Sequence, residues 1–252
     1  MSQEEQYTAG VPLARIVART LTRAPELVVL TQPRSYATER FRRLRALLSS
    51  EQTQGSRVVV ITSAAPSEGK SLVAMNLALT IASGKDDKVL LLDADLRRPS
   101  VDQWLTPKPT LGLTDILEGR TTIEHVVLDI ADSMLSILPA GKIPQDPVEL
   151  LSSESMRDLM LALRKRYKWI IIDTPPIIPF TDADAAGRLS DGFILVARAG
   201  STAVSAFKQA TALASAAPIL GTVLNDAKAS FADHNYKYDR YYSSYYAKER
   251  HE

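Results

Sequence analysis

The chain has 252 residues, a hydrophobic content of 45% and a formal net charge of +1. This length suits one globular domain of moderate size, and the near-neutral charge gives no overall field towards nucleic acid or membrane. We therefore expect no nucleic-acid partner. Because the chain contains no cysteine, disulfides and thiolate metal sites are excluded, and a reducing compartment such as the cytoplasm is expected.

The N-terminal region carries no signal for a membrane. The first ten residues, MSQEEQYTAG, are polar and acidic, and no apolar run approaches the roughly 18 residues that a membrane span needs. We expect recruitment to the inner face of the membrane to require a partner. Residues 1–35 contain several prolines and are predicted to form a loosely attached arm, and residues 37–48, ATERFRRLRALL, an amphipathic helix.

Residues 36–228 alternate between short β-branched runs and longer helical patterns. The runs RVVVIT, KVLLLD, SMLSILP, WIIID, DGFILVA and ILGTVLN are predicted strands, and the segments beginning GKSLVAM, SSESMRD and TAVSAFK are predicted helices. Strands that are apolar on both faces and separated by helices indicate a mostly parallel sheet covered on both sides. The predicted fold is three-layer α/β. Residues 229–252 lose this periodicity and are predicted to be a flexible, tyrosine-rich tail.

A phosphate-binding loop is predicted where the first strand meets the first long helix, in SAAPSEGKSLV. Loop amides and the helix N-terminus would bind the β-phosphate, Lys70 would neutralise β/γ charge, and the Ser71 hydroxyl would bind Mg²⁺. The match is incomplete, because Ala64 and Ser67 stand where many such loops have glycine. The predicted nucleotide-binding residues are Ala65, Pro66, Ser67, Glu68, Gly69, Lys70, Ser71 and Leu72.

Two further strands end in carboxylates. LLLDADLRRPS presents Asp93 and Asp95 on one side of the chain, and WIIIDTPP ends in Asp173. Ligands collect at the carboxyl ends of strands in an open parallel sheet, so we expect these carboxylates beside the phosphate loop. One of them would hold Mg²⁺ while another accepts a proton from an attacking hydroxyl. The predicted catalytic residues are thus Lys70, Asp93, Asp95 and Asp173, and the predicted metal site is Ser71, Asp93 and Asp173.

This combination resembles the bacterial tyrosine kinases, a family of P-loop kinases, over residues 31–246. The resemblance rests on SAAPSEGKS, LLLDADLRRPS, IIIDTPP, LPAGKIPQDPVELLSS, the tyrosine-rich tail, and an ExxRxxR element formed by Glu39, Arg42 and Arg45. It implies transfer of the ATP γ-phosphate to tail tyrosines, commonly on a neighbouring subunit of a ring joined through the first helix. The implied phosphoacceptors are Tyr236, Tyr238, Tyr241, Tyr242, Tyr245 and Tyr246.

The resemblance also implies further partners and roles. It places a membrane adaptor, a cognate tyrosine phosphatase and control of capsule or exopolysaccharide synthesis around the kinase. By analogy with related P-loop ATPases, Asn225 in GTVLN would bind adenine, and the alternative is a strand-end cap. The division of roles among Asp93, Asp95 and Asp173 stays open, and so does the choice between a separate chain and part of a fused membrane protein.

Two other functions fit the same fold. Partition and septum-site ATPases usually carry an extra lysine early in the phosphate loop, where this chain has Ala64 and Ala65. A nucleotide-bound scaffold with little catalysis is a third possibility, which the serine at position 67 leaves open. Without the family resemblance, Glu39 and Arg42 could be a simple surface ion pair, and the tyrosine-rich tail could have no catalytic role.

Overall fold

A computed structural model describes residues 20–49, 55–84 and 87–227. These residues form a seven-stranded sheet in the order β5-β6-β3-β7-β2-β8-β9, and a separate pair of short strands, β1 and β4. The strands are β1 (Thr20–Leu21), β2 (Arg57–Ser63), β3 (Val89–Asp93), β4 (Leu105–Thr106), β5 (Leu128–Asp129), β6 (Leu135–Leu138), β7 (Trp169–Asp173), β8 (Gly192–Arg198) and β9 (Ile219–Asn225). The helices are α1 (Val28–Thr31), α2 (Tyr36–Ser49), α3 (Lys70–Ala82), α4 (Leu113–Leu117), α5 (Ile123–Val126), α6 (Pro147–Ser152), α7 (Glu154–Arg166), α8 (Asp182–Gly187) and α9 (Val204–Leu213), with a 3-10 turn at Val101–Trp104.

The prediction of a mostly parallel three-layer sheet is confirmed. Every pairing in the large sheet is parallel except that of β5 with β6. Because side chains alternate along a strand, Val58 and Val60 face one layer while Val59 and Ile61 face the other. One layer contains α1, α2 and α3, and the other contains α4 to α9.

Insertion of β7 between β3 and β2 positions the candidate site. Asp93 at the end of β3 is in register with Asp173 at the end of β7, and Ile61 of β2 is in register with Asp173 on the other side. The chain after β2 then forms the predicted phosphate loop and enters α3. Three loops that lie far apart in sequence therefore meet at one edge of the sheet.

The expectation of a loose arm is wrong for the described residues 20–35. Leu27 is fully buried, and β1 pairs with β4. The buried Asn76 of α3 donates Nδ2 to the Glu26 carbonyl, and its Oδ1 accepts from the Val29 amide. These contacts attach residues 26–29 to α3. The proposed domain boundaries at 35/36 and 228/229 stay predictions.

No helix in residues 20–49, 55–84 and 87–227 combines the length and apolarity needed to cross a bilayer.

Candidate active site

The loop between β2 and α3 presents unpaired backbone donors. Within the described chain, the amides of residues 67–72 donate to no protein acceptor, whereas the next amide, that of Val73, donates to the Gly69 carbonyl. Unpaired amides at the start of a helix attract anions through their N–H groups and the helix dipole. The arrangement therefore suits a phosphate group.

Two residues of this loop have left-handed backbone conformations. Gly69 has φ +92° and Ser67 has φ +64°. At Gly69 an added Cβ would lie 2.0 Å from the Asn225 Nδ2, so only glycine fits. Ser67 occupies a conformation that glycine adopts at much lower cost, which explains why many such loops carry glycine at this position.

The Glu68 side chain stabilises the phosphate loop through hydrogen bonds. Its buried carboxylate accepts a hydrogen bond from the Ala65 amide at 3.1 Å and another from the Thr202 hydroxyl. Asn225 Nδ2 donates to the Glu68 carbonyl at 3.0 Å. Asn225 thus lies against the phosphate loop with its amide bound to protein; adenine recognition by this residue stays a prediction.

Lys70 is the first residue of α3 and forms an ion pair across the site. Its Nζ lies 2.7 Å from Oδ2 of Asp95 and 3.3 Å from the hydroxyl of Ser71. Burial lowers the pKa of Lys70, but the three aspartates together outweigh it and the net pKa is raised. Lys70 is therefore a firmly protonated cation.

Asp93 is held by the backbone. Its Oδ1 accepts from the Asp95 amide at 3.1 Å, and its Oδ2 accepts from the amides of Val101 at 3.1 Å and Ser100 at 3.3 Å. Burial, followed by the negative charge of Asp173, raises the pKa of Asp93 although the backbone hydrogen bonds oppose the shift. The side chain mainly organises the loop after β3.

Asp173 differs from Asp93 and Asp95 because its carboxylate has no hydrogen-bond donor among the described residues. It is 0% exposed, and neither of its oxygens accepts a hydrogen bond within the described chain. Burial raises the pKa of Asp173, while the Lys70 charge and the nearby Ser71 hydroxyl partly counter that effect. A buried carboxylate without donors is costly unless something else satisfies it.

The arrangement fits a magnesium ion that shares its ligands with a nucleotide. Among the described residues there is no cluster of three or more acidic or histidine side chains that would enclose a metal. Mg²⁺ in phosphate-transfer sites uses one or two carboxylates and completes its shell with water and phosphate oxygens. The unpaired oxygens of Asp173, beside the Ser71 hydroxyl, are the donors that such an ion would use.

The remaining predicted residues lie apart from this site. On α2, Glu39 and Arg42 form an ion pair, and Arg42 also donates to the Pro33 carbonyl at 3.0 Å. Arg45 donates to the Thr80 carbonyl at 3.1 Å, which ties α2 to the end of α3. Their role in an oligomer stays a prediction. The phosphoacceptor tyrosines fall outside the described residues.

Four residues that support the site could not be predicted from the sequence. Arg97 pairs with the buried Asp182, and Arg198 donates to the Ser67 carbonyl at 3.4 Å while Thr202 binds Glu68. The proximity of Arg97 to the acidic motif was the one available signal. Nothing in a single sequence relates it to a carboxylate 85 positions away.

The fold and loop geometry define a nucleotide-binding P-loop protein. The family model described as "AAA domain" matches residues 56–213. The chain is 38% identical to "Tyrosine-protein kinase YwqD" of Bacillus subtilis (strain 168) over 207 residues, which cover 81% of this chain and 87% of that protein. The chimerical protein CapA2B2 has a TM-score of 0.77 and 30% identity, covering 82% of this chain and 92% of the other. The chain belongs to the bacterial tyrosine-protein kinase family.

Several other relatives are much longer. "Succinoglycan biosynthesis transport protein ExoP" of Rhizobium meliloti (strain 1021) is 34% identical over 87% of this chain, which spans only 29% of that protein. The alternative class, the partition and septum-site ATPases, shares the fold with lower structural and sequence similarity. The cell division ATPase MinD of Pyrococcus furiosus has a TM-score of 0.57 and 22% identity, covering 71% of this chain and 74% of the other. That likeness concerns the fold alone.

Proposed function

We propose that the chain is an ATP- and Mg²⁺-dependent protein-tyrosine autokinase that phosphorylates tyrosines of its own tail in trans, within a homo-oligomer. One arrangement carries this proposal: unpaired loop amides, the Lys70 cation and the unsatisfied Asp173 carboxylate meet at one edge of the sheet. The loop amides suit the β-phosphate, and Lys70 suits the β/γ-oxygens. Asp173 and Ser71 would hold Mg²⁺, which supplies charge neutralisation at the transferring phosphate.

The ion pair between Lys70 and Asp95 suggests how the base becomes available. Lys70 Nζ is bound to Asp95, and the same Nζ is the group that would contact phosphate. When Lys70 turns to the nucleotide, Oδ2 of Asp95 loses its partner and can accept the proton of a tyrosine hydroxyl. Asp93, which accepts three backbone hydrogen bonds, would then hold the loop and complete the predicted metal site by contacting Mg²⁺ through its water shell.

The transfer step conserves atoms and charge. The tyrosine oxygen forms a bond to the γ-phosphorus, and the bond from that phosphorus to the bridging oxygen breaks with its electron pair on ADP. The phenolic proton passes to Asp95. Tyrosine has a high ordinary pKa and needs such a base to react near neutral pH.

A relative's name supports the process, and the family resemblance suggests the partners. ExoP is named as a succinoglycan biosynthesis transport protein, which supports a role in polysaccharide synthesis or export. We propose that this chain acts in polysaccharide synthesis or export, at the inner face of the membrane, with a membrane adaptor and a cognate tyrosine phosphatase. Successive phosphates on one tail repel each other and the acidic site, so phosphorylation should loosen the oligomer.

A complementation experiment tests the kinase and the trans reaction together. Full-length chain carrying Lys70→Met is mixed with a chain truncated after Asp233, and phosphate is mapped by mass spectrometry after addition of Mg²⁺-ATP. We expect phosphotyrosine on the Lys70→Met tail only in the mixture. Lys208→Met, which changes an exposed lysine of α9, is the matched control and should behave as the parent.

Three results would overturn the proposal or a part of it. Absence of phosphotyrosine from the parent, even with the adaptor's cytoplasmic segment present, removes the kinase reaction. ATP hydrolysis without tyrosine modification would favour an ATPase switch instead. Phosphate on the parent tail without transfer in the mixture would show that the reaction occurs in cis.

A further inference from the structure

The partly exposed Arg97 and the buried Asp182 form an ion pair outside the proposed chemical groups. Arg97 lies two residues beyond Asp95, and Asp182 is the first residue of α8, in the chain that follows β7. The Arg97 Nε lies 2.9 Å from Oδ1 and 3.2 Å from Oδ2 of Asp182. Asp182 is 0% exposed, and no other donor among the described residues reaches its carboxylate.

The guanidinium of Arg97 is also fixed in orientation. It lies 4.3 Å from the centroid of the Phe180 ring, a distance typical of a cation–π contact. A planar guanidinium that is stacked and hydrogen-bonded at once has little rotational freedom, unlike a lysine. Arg97 is therefore a rigid connection between the loop after β3 and the loop after β7.

This connection fixes the loop after β3 at its far end. At the near end, the Ala94 amide donates to the Asp173 carbonyl at 2.8 Å. Asp95 lies between these two attachments, and its Oδ1 accepts from the Arg98 amide at 3.0 Å. The position of Asp95 relative to Asp173 is thus set by a short backbone hydrogen bond on one side and by the ion pair on the other.

Fold stability alone is a weak reason for such a pair. The desolvation of two charges offsets most of their attraction, so apolar residues of similar size would stabilise the fold as well or better. Metal sites, by contrast, depend strongly on residues behind the ligands, and loss of one such residue commonly lowers metal affinity by about 10- to 100-fold.

We propose that Arg97 and Asp182 are positioning residues that set the separation between the loop carrying Asp93 and Asp95 and the Asp173 carboxylate, and thereby determine the affinity for Mg²⁺. This inference rests on the magnesium site of the proposed function. It assigns the pair no contact with nucleotide or tyrosine. The pair should therefore affect the metal much more than the nucleotide.

Calorimetry on the intact chain separates these effects. Mg²⁺ is titrated into protein saturated with ADP, and ADP binding is measured separately in EDTA. We expect Asp182→Asn to weaken Mg²⁺ binding by about 10-fold and to change ADP binding in EDTA by less than about 2-fold. Arg97→Lys keeps the charge but loses the rigid geometry, so its Mg²⁺ affinity should fall between those of the parent and Asp182→Asn.

A double variant keeps the test decisive if a single variant fails to fold. Arg97→Met with Asp182→Asn leaves no unpaired buried charge, so it should fold while still binding Mg²⁺ weakly. Arg188→Ala is the matched control, because it breaks the exposed ion pair with Asp184 on the same helix; its Mg²⁺ affinity should equal that of the parent.

The outcomes distinguish this proposal from the one on which it rests. Parental Mg²⁺ affinity in the double variant would overturn the positioning role and leave a structural ion pair. Equal losses of Mg²⁺ and ADP affinity would also overturn it, because they would indicate general damage to the site. A parent that binds ADP without binding Mg²⁺ would instead remove the magnesium site of the proposed function.

Discussion

Replacing Asp173 with asparagine should stabilise the protein when neither nucleotide nor magnesium is present. The Asp173 carboxylate is buried without a hydrogen-bond donor, and burial raises its pKa to about 6. Between the ordinary aspartate pKa near 4 and the raised value, the folded state binds more protons than the unfolded state. Stability therefore falls as pH rises through this window. Asparagine carries no charge and avoids this loss.

The expected gain follows from the raised pKa. A tenfold difference in proton affinity corresponds to about 1.4 kcal/mol, so the rise to about 6 corresponds to about 3 kcal/mol above the window. Lys70 keeps Asp95 as its partner at 2.7 Å and is not left alone. We expect Asp173→Asn to raise the free energy of unfolding by about 2–3 kcal/mol near pH 8 and by little near pH 4.

Urea unfolding in EDTA, followed by circular dichroism across this pH range, measures the gain. Asp158→Asn changes an exposed carboxylate on α7 and should have no comparable pH-dependent effect. The reasoning is refuted if Asp173→Asn destabilises the chain at about pH 8, or if the gain is the same at every pH. In the presence of ADP, the variant should also lose the stabilisation that Mg²⁺ gives the parent.

Four further variants test the loop, the packing and the oligomer. Ser67→Gly should stabilise the chain by about 0.5–1 kcal/mol in urea unfolding, because φ is +64°; a loss of stability would contradict the assigned strain. Gly112→Ala should cost about 3 kcal/mol, because its Cβ would lie 2.0 Å from a backbone nitrogen. Gly221→Ala, whose Cβ meets nothing within 4 Å, should change stability by less than about 0.5 kcal/mol, and equal effects would refute the packing argument. Arg42→Ala with Arg45→Ala should lower the oligomer mass in light scattering, and an unchanged mass would remove α2 from the interface.

Much of the fold could be predicted because local sequence carries its signal. The six predicted strands and four predicted helices all form, because β-branched runs bounded by turns and helical segments of 10 to 14 residues have clear local signals. Short elements such as α4, α5 and β5 were not predicted. They are too brief to show periodicity, and tertiary contacts stabilise them.

The packing of residues 20–35 against the rest of the chain also could not be predicted from the sequence. Proline-rich sequence indicates a loop, and residues 20–35 contain little regular structure. Whether such a loop packs depends on a distant surface, here the apolar face of α3 with Asn76 supplying hydrogen bonds. A single sequence does not show which distant surface such a loop will contact.

The sequence alone identifies the candidate site residues. The phosphate loop with Lys70 and Ser71, and the acidic strand ends at Asp93 and Asp173, are local patterns at the ends of recognisable strands. Only the tertiary structure determines which of these side chains are buried and which groups they bind. The order of strands puts β7 between β3 and β2, which leaves Asp173 without a donor while Asp95 binds Lys70. Burial and hydrogen-bond partners depend on contacts between segments that are distant in sequence. Arg97 pairs with Asp182 only because the sheet brings the loops after β3 and β7 together.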